Sequence, residues 1–397
     1  MNQLLSKIKK VKFKDIYGIF IFLLVLIPSF FYKQYLKLRK KELWLVCEKE
    51  NMARDNGKVF YKYLKNKHPE INSYYAINTN CKDYEDIKKY NNIIKWSSIK
   101  HYFIYMSATK NISSHKEGNP NQTLFTILHL YFHLYNNRVF LQHGILYQDF
   151  KMFHKENTRF KLFITGAKPE YEYVNRIYGY DKGEVKYTGL ARFDELHEWK
   201  TDKKCILLIP TWRRWLNSKE KFIKSCYYKR LQSFINNKDL WNFLERNDKY
   251  LYFYPHISTQ MYIDEYTTNC NRVKILKAED VNIQDVLKQG ALLITDYSSI
   301  SSDFAYMKKP IIYYQYDSNE FYKKHFQKPY HKSYFDFKKD GFGKVLDNED
   351  DLIKLIEYYS KNDFELEKNY IERINNFFEL YDKNNCERIF KEIMRCE

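Results

Sequence analysis

From Glu42 onward, short apolar runs alternate with segments of helical spacing. LWLVC (43–47), RVFLQ (138–142) and KLFIT (161–165) read as buried strands. Between them, DNGKVFYKYLKNKHPE opens on an Asp or Asn cap and sets Val59, Phe60, Tyr63 and Leu64 at helical spacing. A second series follows in CILLIP (205–210), YLYFYP (250–255), VKIL (273–276), ALLIT (291–295) and PIIYY (310–314). Strands that are apolar throughout and spaced by helices imply parallel sheets covered on both faces. Two doubly wound α/β domains account for the pattern, with a boundary near residues 180–200, and 350–397 reads as helices rich in Leu, Ile, Phe and charge.

The first 41 residues depart from this rhythm. IYGIFIFLLVLIPSFFY (16–32) carries no charge and lies between Lys7, Lys9, Lys10, Lys12 and Lys14 on one side and Lys33, Lys37, Arg39, Lys40 and Lys41 on the other. Against these ten cations stands one acid, Asp15, so the segment holds half of the formal net charge of +18. A spanning helix needs ~20 apolar residues, ~17 at the short end, and Pro28 works against a clean span. No small-residue cleavage site follows, as a secretory signal would require. Paired basic flanks fit an amphipathic or shallowly inserted anchor on an anionic cytoplasmic leaflet, where each Lys or Arg contributes about 1 kcal/mol. A single-pass helix and an ordinary core helix are the alternatives. With the charge concentrated there and no nucleic-acid motif in the chain, nucleic acid is not an expected partner.

Hydrophobic residues make up 44% of the 397, with 38 Tyr and 29 Phe, which excludes a disordered chain. The seven Cys are scattered without a C-x-x-C pair, so neither a disulfide framework nor a zinc or other metal site is expected, and a reducing compartment fits.

Ligands of open α/β sheets gather beyond the C-terminal ends of the strands. There the chain places His143 after RVFLQ, Thr211 and Arg213 after CILLIP, His256 after YLYFYP, and TDYSSISSDF after ALLI. Taken singly, a strand-end His is most often structural and a hydroxyl cluster before a helix is usually a cap. Together they supply what a phosphate ester needs: amides and hydroxyls for the anion, a guanidinium, and imidazoles for proton transfer.

LQHG (141–144), GLARFDEL (189–196), PTWRR (210–214), YPHI (254–257) and ITDYSSISSDF (294–304), followed by KKPIIYYQYD and DGFGKV, resemble in this order the CDP-glycerol glycerophosphotransferase family, which builds teichoic acids and related capsular polymers. The resemblance also takes in ARDNGKVFYKYL (53–64). It implies a GT-B architecture, two Rossmann-like domains facing a cleft. The expected layout is a membrane-associating segment 1–41, an acceptor-side domain 42–185, a nucleotide-donor domain 186–349 and C-terminal helices 350–397.

The implied reaction moves an alditol phosphate from CDP-glycerol or another CDP-alditol to a hydroxyl of a lipid-linked or polysaccharide acceptor at the cytoplasmic face of a bacterial membrane, without a cofactor. His143 is the expected general base. His256 and Arg213 offset charge on the phosphoryl and leaving oxygens, though the two His roles are exchangeable. Ser298 and Ser299, with Thr211, Asp296 and Asp303 around them, belong to the donor site, Asp303 equally as a helix cap or an Arg partner. Departures from the family pattern at HGILYQDF, at Ile257 and at Ser302 leave the alditol open. A GT-B glycosyltransferase using a sugar nucleotide is the alternative function, and it has less need of both histidines.

Overall fold

Each apolar run becomes a strand because both of its faces are covered. In LWLVC, Trp44 and Val46 pack with Phe60, Leu64 and Tyr75 on one side of a sheet, while Leu43, Leu45 and Cys47 pack with Tyr102, Tyr105 and Phe125 on the other. A computed structural model describes residues 13–132, 134, 136–326 and 333–396. It divides into two units: the chain up to Ile145 with Phe150–Glu195 and the segment from Asp382 onward, and Leu146–Asp149 with Leu196–Tyr381.

The first unit holds a sheet of seven parallel strands: β1 (Leu43–Cys47), β2 (Asn72–Ile77), β3 (Ile93–Lys95), β4 (Lys110–Ser113), β5 (Arg138–Phe140), β6 (Leu162–Thr165) and β7 (Val185–Tyr187). Their order is β3-β2-β1-β4-β5-β6-β7. The second holds six parallel strands, β8 (Cys205–Leu208), β9 (Tyr250–Phe253), β10 (Val273–Ile275), β11 (Leu292–Thr295), β12 (Ile311–Tyr314) and β13 (Gly343–Leu346), in the order β10-β9-β8-β11-β12-β13. Both sheets reverse strand order once, between β1 and β4 and between β8 and β11. At such switch points the loops diverge and leave room for a ligand.

The chain passes from the first unit to the second after Glu195. The C-terminal helices do not stay together. Asn385–Arg395 joins the first unit, because Asp194 caps its start by accepting from the Asn385 and Cys386 amides at 2.8 Å each. Gly189 makes that fit possible, having φ +78° and a position where a Cβ would lie 1.7 Å from Asn385 Oδ1.

The apolar N-terminal segment forms one helix, Phe13–Leu38, which continues through Pro28. Lys7, Lys9, Lys10 and Lys12 lie outside the described residues. Asp15, Gly18, Ile21, Val25, Ser29 and Leu36 form a narrow buried stripe at helical spacing. Phe22 meets Phe125 edge-on at 6.1 Å and Tyr32 meets Phe103 at 5.5 Å. The opposite faces carry Phe20, Leu23, Leu24, Ile27, Phe30 and Phe31, each more than half exposed.

Candidate active site

In the first unit the switch point brings together the ends of β1 and β4, with the end of β5 beside them. Glu48, directly after β1, is fully buried and accepts from the amides of Arg54 at 3.0 Å and of Asp55 and Lys58 at 2.9 Å. Burial, and then the Asp55 charge, push its carboxyl up to about 7. A helix N-terminus after the first strand of such a sheet commonly receives phosphate. Here a carboxylate already occupies the start of Asn56–Lys67.

His143 projects from the loop after β5 and is exposed. Gln142 before it takes φ +61° and is fixed on both sides: its Nε2 donates to the Ile164 carbonyl at 2.7 Å, and its carbonyl accepts from Asn56 Nδ2 at 2.8 Å. The neighbouring Ser114 backbone carbonyl favours the protonated His143 ring. Protein crowding, then Lys49 and Arg192, push its pKa down to about 4, although solvent at the exposed ring offsets part of the crowding. Arg192, from GLARFDEL, is anchored by Asp55 at 2.7 Å. His115 stacks on His143 with ring centroids 4.7 Å apart and planes 10° from parallel.

In the second unit the ends of β8 and β11 are tied by one carboxylate. Asp296 Oδ1 accepts from the Thr211 amide at 2.8 Å and the Tyr297 amide at 2.6 Å, and Oδ2 lies 2.9 Å from an Arg213 Nη. Arg213 is 0% exposed. Its Nε and one Nη grip Asp317 at 2.7 and 2.9 Å, and its other Nη donates to the Thr211 carbonyl at 2.6 Å. Tyr227 and Phe321 each stand 4.7 Å from the guanidinium. The bidentate contact of Arg213 is therefore made with Asp317 inside the protein. Burial opposes its charge, but Asp296 and Asp317 outweigh burial and hold its pKa well above the ordinary value. For Asp296 burial outweighs Arg213, and its carboxyl is raised.

Ser298 and Ser299 are half-buried at the start of the short helix Ile300–Tyr306, and Ser299 makes no side-chain cap bond. Asp303 is buried within that helix, 3.3 Å from Gln284 Nε2. His256, after β9, is half-buried, and its Nδ1 accepts from the Ser258 amide at 3.1 Å, which assigns the ring proton to Nε2. Trp212 lies at 6.1 Å from His256 and 5.3 Å from His325, whose Nδ1 accepts from the Arg214 amide at 3.4 Å.

His115, Glu48, Arg192, Asp317 and His325 were not among the expected site residues. Asp317 and Arg192 stand inside quoted motifs, so a signal existed for them. His115 follows β4, whose sequence KNIS is polar although every residue is buried, so no apolar run marked the strand that carries it.

Residues 29–395 match the family model described as CDP-Glycerol:Poly(glycerophosphate) glycerophosphotransferase. The chain is 34% identical over 378 residues to the minor teichoic acid biosynthesis protein GgaB of Bacillus subtilis (strain 168), covering 90% of this chain and 40% of that protein. It is 24% identical over 271 residues to the teichoic acid glycerol-phosphate transferase of Staphylococcus aureus (strain NCTC 8325 / PS 47), covering 62% of this chain and 64% of that one. The chain thus spans less than two thirds of either relative. The solved wall teichoic acid polymerase TagF superposes with a TM-score of 0.64 at 17% identity, covering 97% of this chain and 98% of that chain, a likeness of fold.

Proposed function

Since this chain belongs to the CDP-glycerol:poly(glycerophosphate) glycerophosphotransferase family, we propose that it moves glycerol phosphate, or a related alditol phosphate, from a CDP-alditol to a hydroxyl of a lipid-linked or polysaccharide teichoic-acid-like acceptor, releasing CMP. The observation that carries this reading is the His143 ring, exposed after β5, stacked on His115 and set near Arg192. Protein crowding, Lys49 and Arg192 hold His143 below its ordinary range, so near pH 7 it is neutral and able to take a proton, as a general base must. His256 accepts the Ser258 amide at Nδ1, which places the proton of the neutral ring on Nε2, the tautomer suited to stabilising a phosphoryl or leaving oxygen.

In the reaction, His143 takes the proton of the acceptor hydroxyl as its oxygen attacks the β-phosphorus. The bond from that phosphorus to the bridging oxygen breaks, and CMP leaves with the bridging oxygen. His256 donates toward the oxygens that gain charge, the positioning and electrostatic work on which phosphoryl transfer depends. The scheme as written requires no cofactor. Glu48 at the helix start of the first unit disfavours an anion there, which supports placing the donor in the second unit, with Ser298 and Ser299 toward its pyrophosphate. Arg213 and Asp296 act through the loops they hold, and Thr211 through the backbone amide that Asp296 fixes.

The apolar outer face of Phe13–Leu38 supports attachment to an anionic bilayer on the cytoplasmic side, with the helix lying in the interface. Its buried stripe packs along the first unit, which favours that arrangement over a span.

Incubating the protein with CDP-glycerol, CDP-ribitol and UDP-sugars, with a lipid-linked glycerol phosphate acceptor, tests the reading. CMP release that depends on the acceptor is expected. Release of UDP instead would establish the glycosyltransferase alternative.

A further inference from the structure

The loop that leaves β4 carries a second imidazole against the proposed base. Resting on the assignment of His143 as that base, we propose that His115 is a positioning residue for the transfer: its buried ring, stacked face to face on His143, fixes the plane of the base and so the direction of the nitrogen that takes the acceptor proton.

The geometry for this is local and over-determined. His115 is only 5% exposed, whereas the His143 ring is open to solvent, so one ring is fixed and the other rests on it. Three contacts fix His115. Its amide donates to Ser113 Oγ at 3.0 Å, its carbonyl accepts from the Gly118 amide at 3.2 Å, and its Nδ1 lies 2.9 Å from Ser114 Oγ. The Ser114 carbonyl, on the same loop, favours the protonated His143 ring. One short loop thereby sets the tilt of the base through the stack. Proton transfer needs the acceptor nitrogen within hydrogen-bond reach and in line, and a small misplacement of a catalytic group is costly.

The surroundings also limit the pair to one proton. Lys49, after β1, and Arg192, from GLARFDEL, act on both rings, and Glu117 is the acid that opposes them at His143. Burial, then His143 itself, hold His115 well below the ordinary imidazole range, so His115 stays neutral while His143 cycles.

The test compares His115→Ala, which removes the ring, with His115→Phe, which keeps a flat ring in the stack, in the full chain, following CMP release from CDP-glycerol as a function of pH. His115→Ala is expected to lower kcat by about tenfold or more, short of the ~10²–10⁴ lost with a base itself. Its KM for CDP-glycerol should stay within about twofold of wild type, as befits a group acting on the acceptor side. Its acid limb should move up toward the ordinary imidazole value of about 6.5 as water reaches the uncovered face of His143. His115→Phe is expected to recover most of the rate and the wild-type limb. A role in folding alone would lower the active fraction without moving the limb. Wild-type kcat with an unmoved limb in His115→Ala would overturn the proposal, and so would His115→Phe as slow as His115→Ala. His143→Ala, run alongside, separates the two levels, because full transfer by that variant defeats the base assignment itself.

Discussion

Replacing Arg213 by Met decides whether its guanidinium braces the second unit or touches the donor. The side chain is fully buried and bonds Asp317 at 2.7 and 2.9 Å and Asp296 at 2.9 Å. Met fills similar space among Tyr227, Tyr297 and Phe321, so the change removes charge pairing more than packing. Two buried carboxylates are then left without their cation. Breaking a buried pair from one side costs about 3–5 kcal/mol. In a domain of about 150–250 residues each kcal/mol moves Tm by roughly 2–4 °C, so a fall of about 6–20 °C is expected. Scanning calorimetry reads that fall, and titration with CDP-glycerol well below the transition reads the site.

Adding Asp296→Asn and Asp317→Asn to Arg213→Met should restore much of the lost Tm, since neutral amides no longer need the cation; the three side chains touch, so their effects are strongly non-additive. An unchanged Tm in Arg213→Met, together with loss of CDP-glycerol binding, would refute the bracing role and return Arg213 to the donor.

His143→Ala should lower kcat by about 10²–10⁴ while CDP-glycerol binding persists, and a rate within a fewfold of wild type would remove His143 from the chemistry. Ser298→Ala with Ser299→Ala should weaken CDP-glycerol affinity more than it lowers kcat, and unchanged affinity by calorimetry would place the pyrophosphate elsewhere. Burial lowers the His101 and His129 imidazoles to about 3. Below an unfolded pKa of about 6.5 the unfolded chain therefore binds more protons, and stability falls with pH by up to ~1.4 kcal/mol per unit for each group, or about 2 kcal/mol each at pH 5; a Tm that does not drop between pH 7 and 5 contradicts this. Phe20→Asp with Leu24→Asp, at positions 64% and 54% exposed, should release the protein from anionic vesicles in flotation without lowering Tm, and vesicle binding equal to wild type would locate the membrane surface elsewhere. Surface changes are the cleaner test, because Ile21, Val25 and Leu36 of the same helix belong to the core of the first unit and deleting residues 1–41 would open it.

The continuously apolar strands were legible because each is covered on both faces. The strands read imperfectly were those whose burial is not hydrophobic. KNIS is fully buried with Lys110 and Asn111 inside it, Asn111 donating to the Tyr105 carbonyl at 3.0 Å. Backbone ladders with β1 and β5 hold this strand in place, and they leave no periodic trace in side chains. The helix Phe13–Leu38 was visible as an apolar segment, but a narrow buried stripe in an almost uniformly apolar stretch gives no polar face to mark which side packs.

At the strand ends, sequence supplied the residue types but not their partners. A charged group there either reaches a ligand or holds the loop that does so. The choice depends on whether a countercharge from a distant segment arrives at the same point. Asp317 lies more than a hundred positions beyond Arg213, and Asp194 reaches the Asn385 helix from nearly two hundred positions away. Arg213, Asp296 and Asp194 are fixed by such long-range contacts. The imidazoles differ because a His has two nitrogens and a flat ring, and the neighbours that meet them set tautomer and plane. His256 meets the amide two residues on, whereas His143 stacks on His115 from the neighbouring strand loop. An amide donating to Nδ1 puts the proton of a neutral ring on Nε2, whereas a stacked ring sets the plane of its neighbour. Two identical residue types at equivalent strand ends thus meet different neighbours, and neither contact is written in the residue itself, which is why their roles stay exchangeable in the sequence.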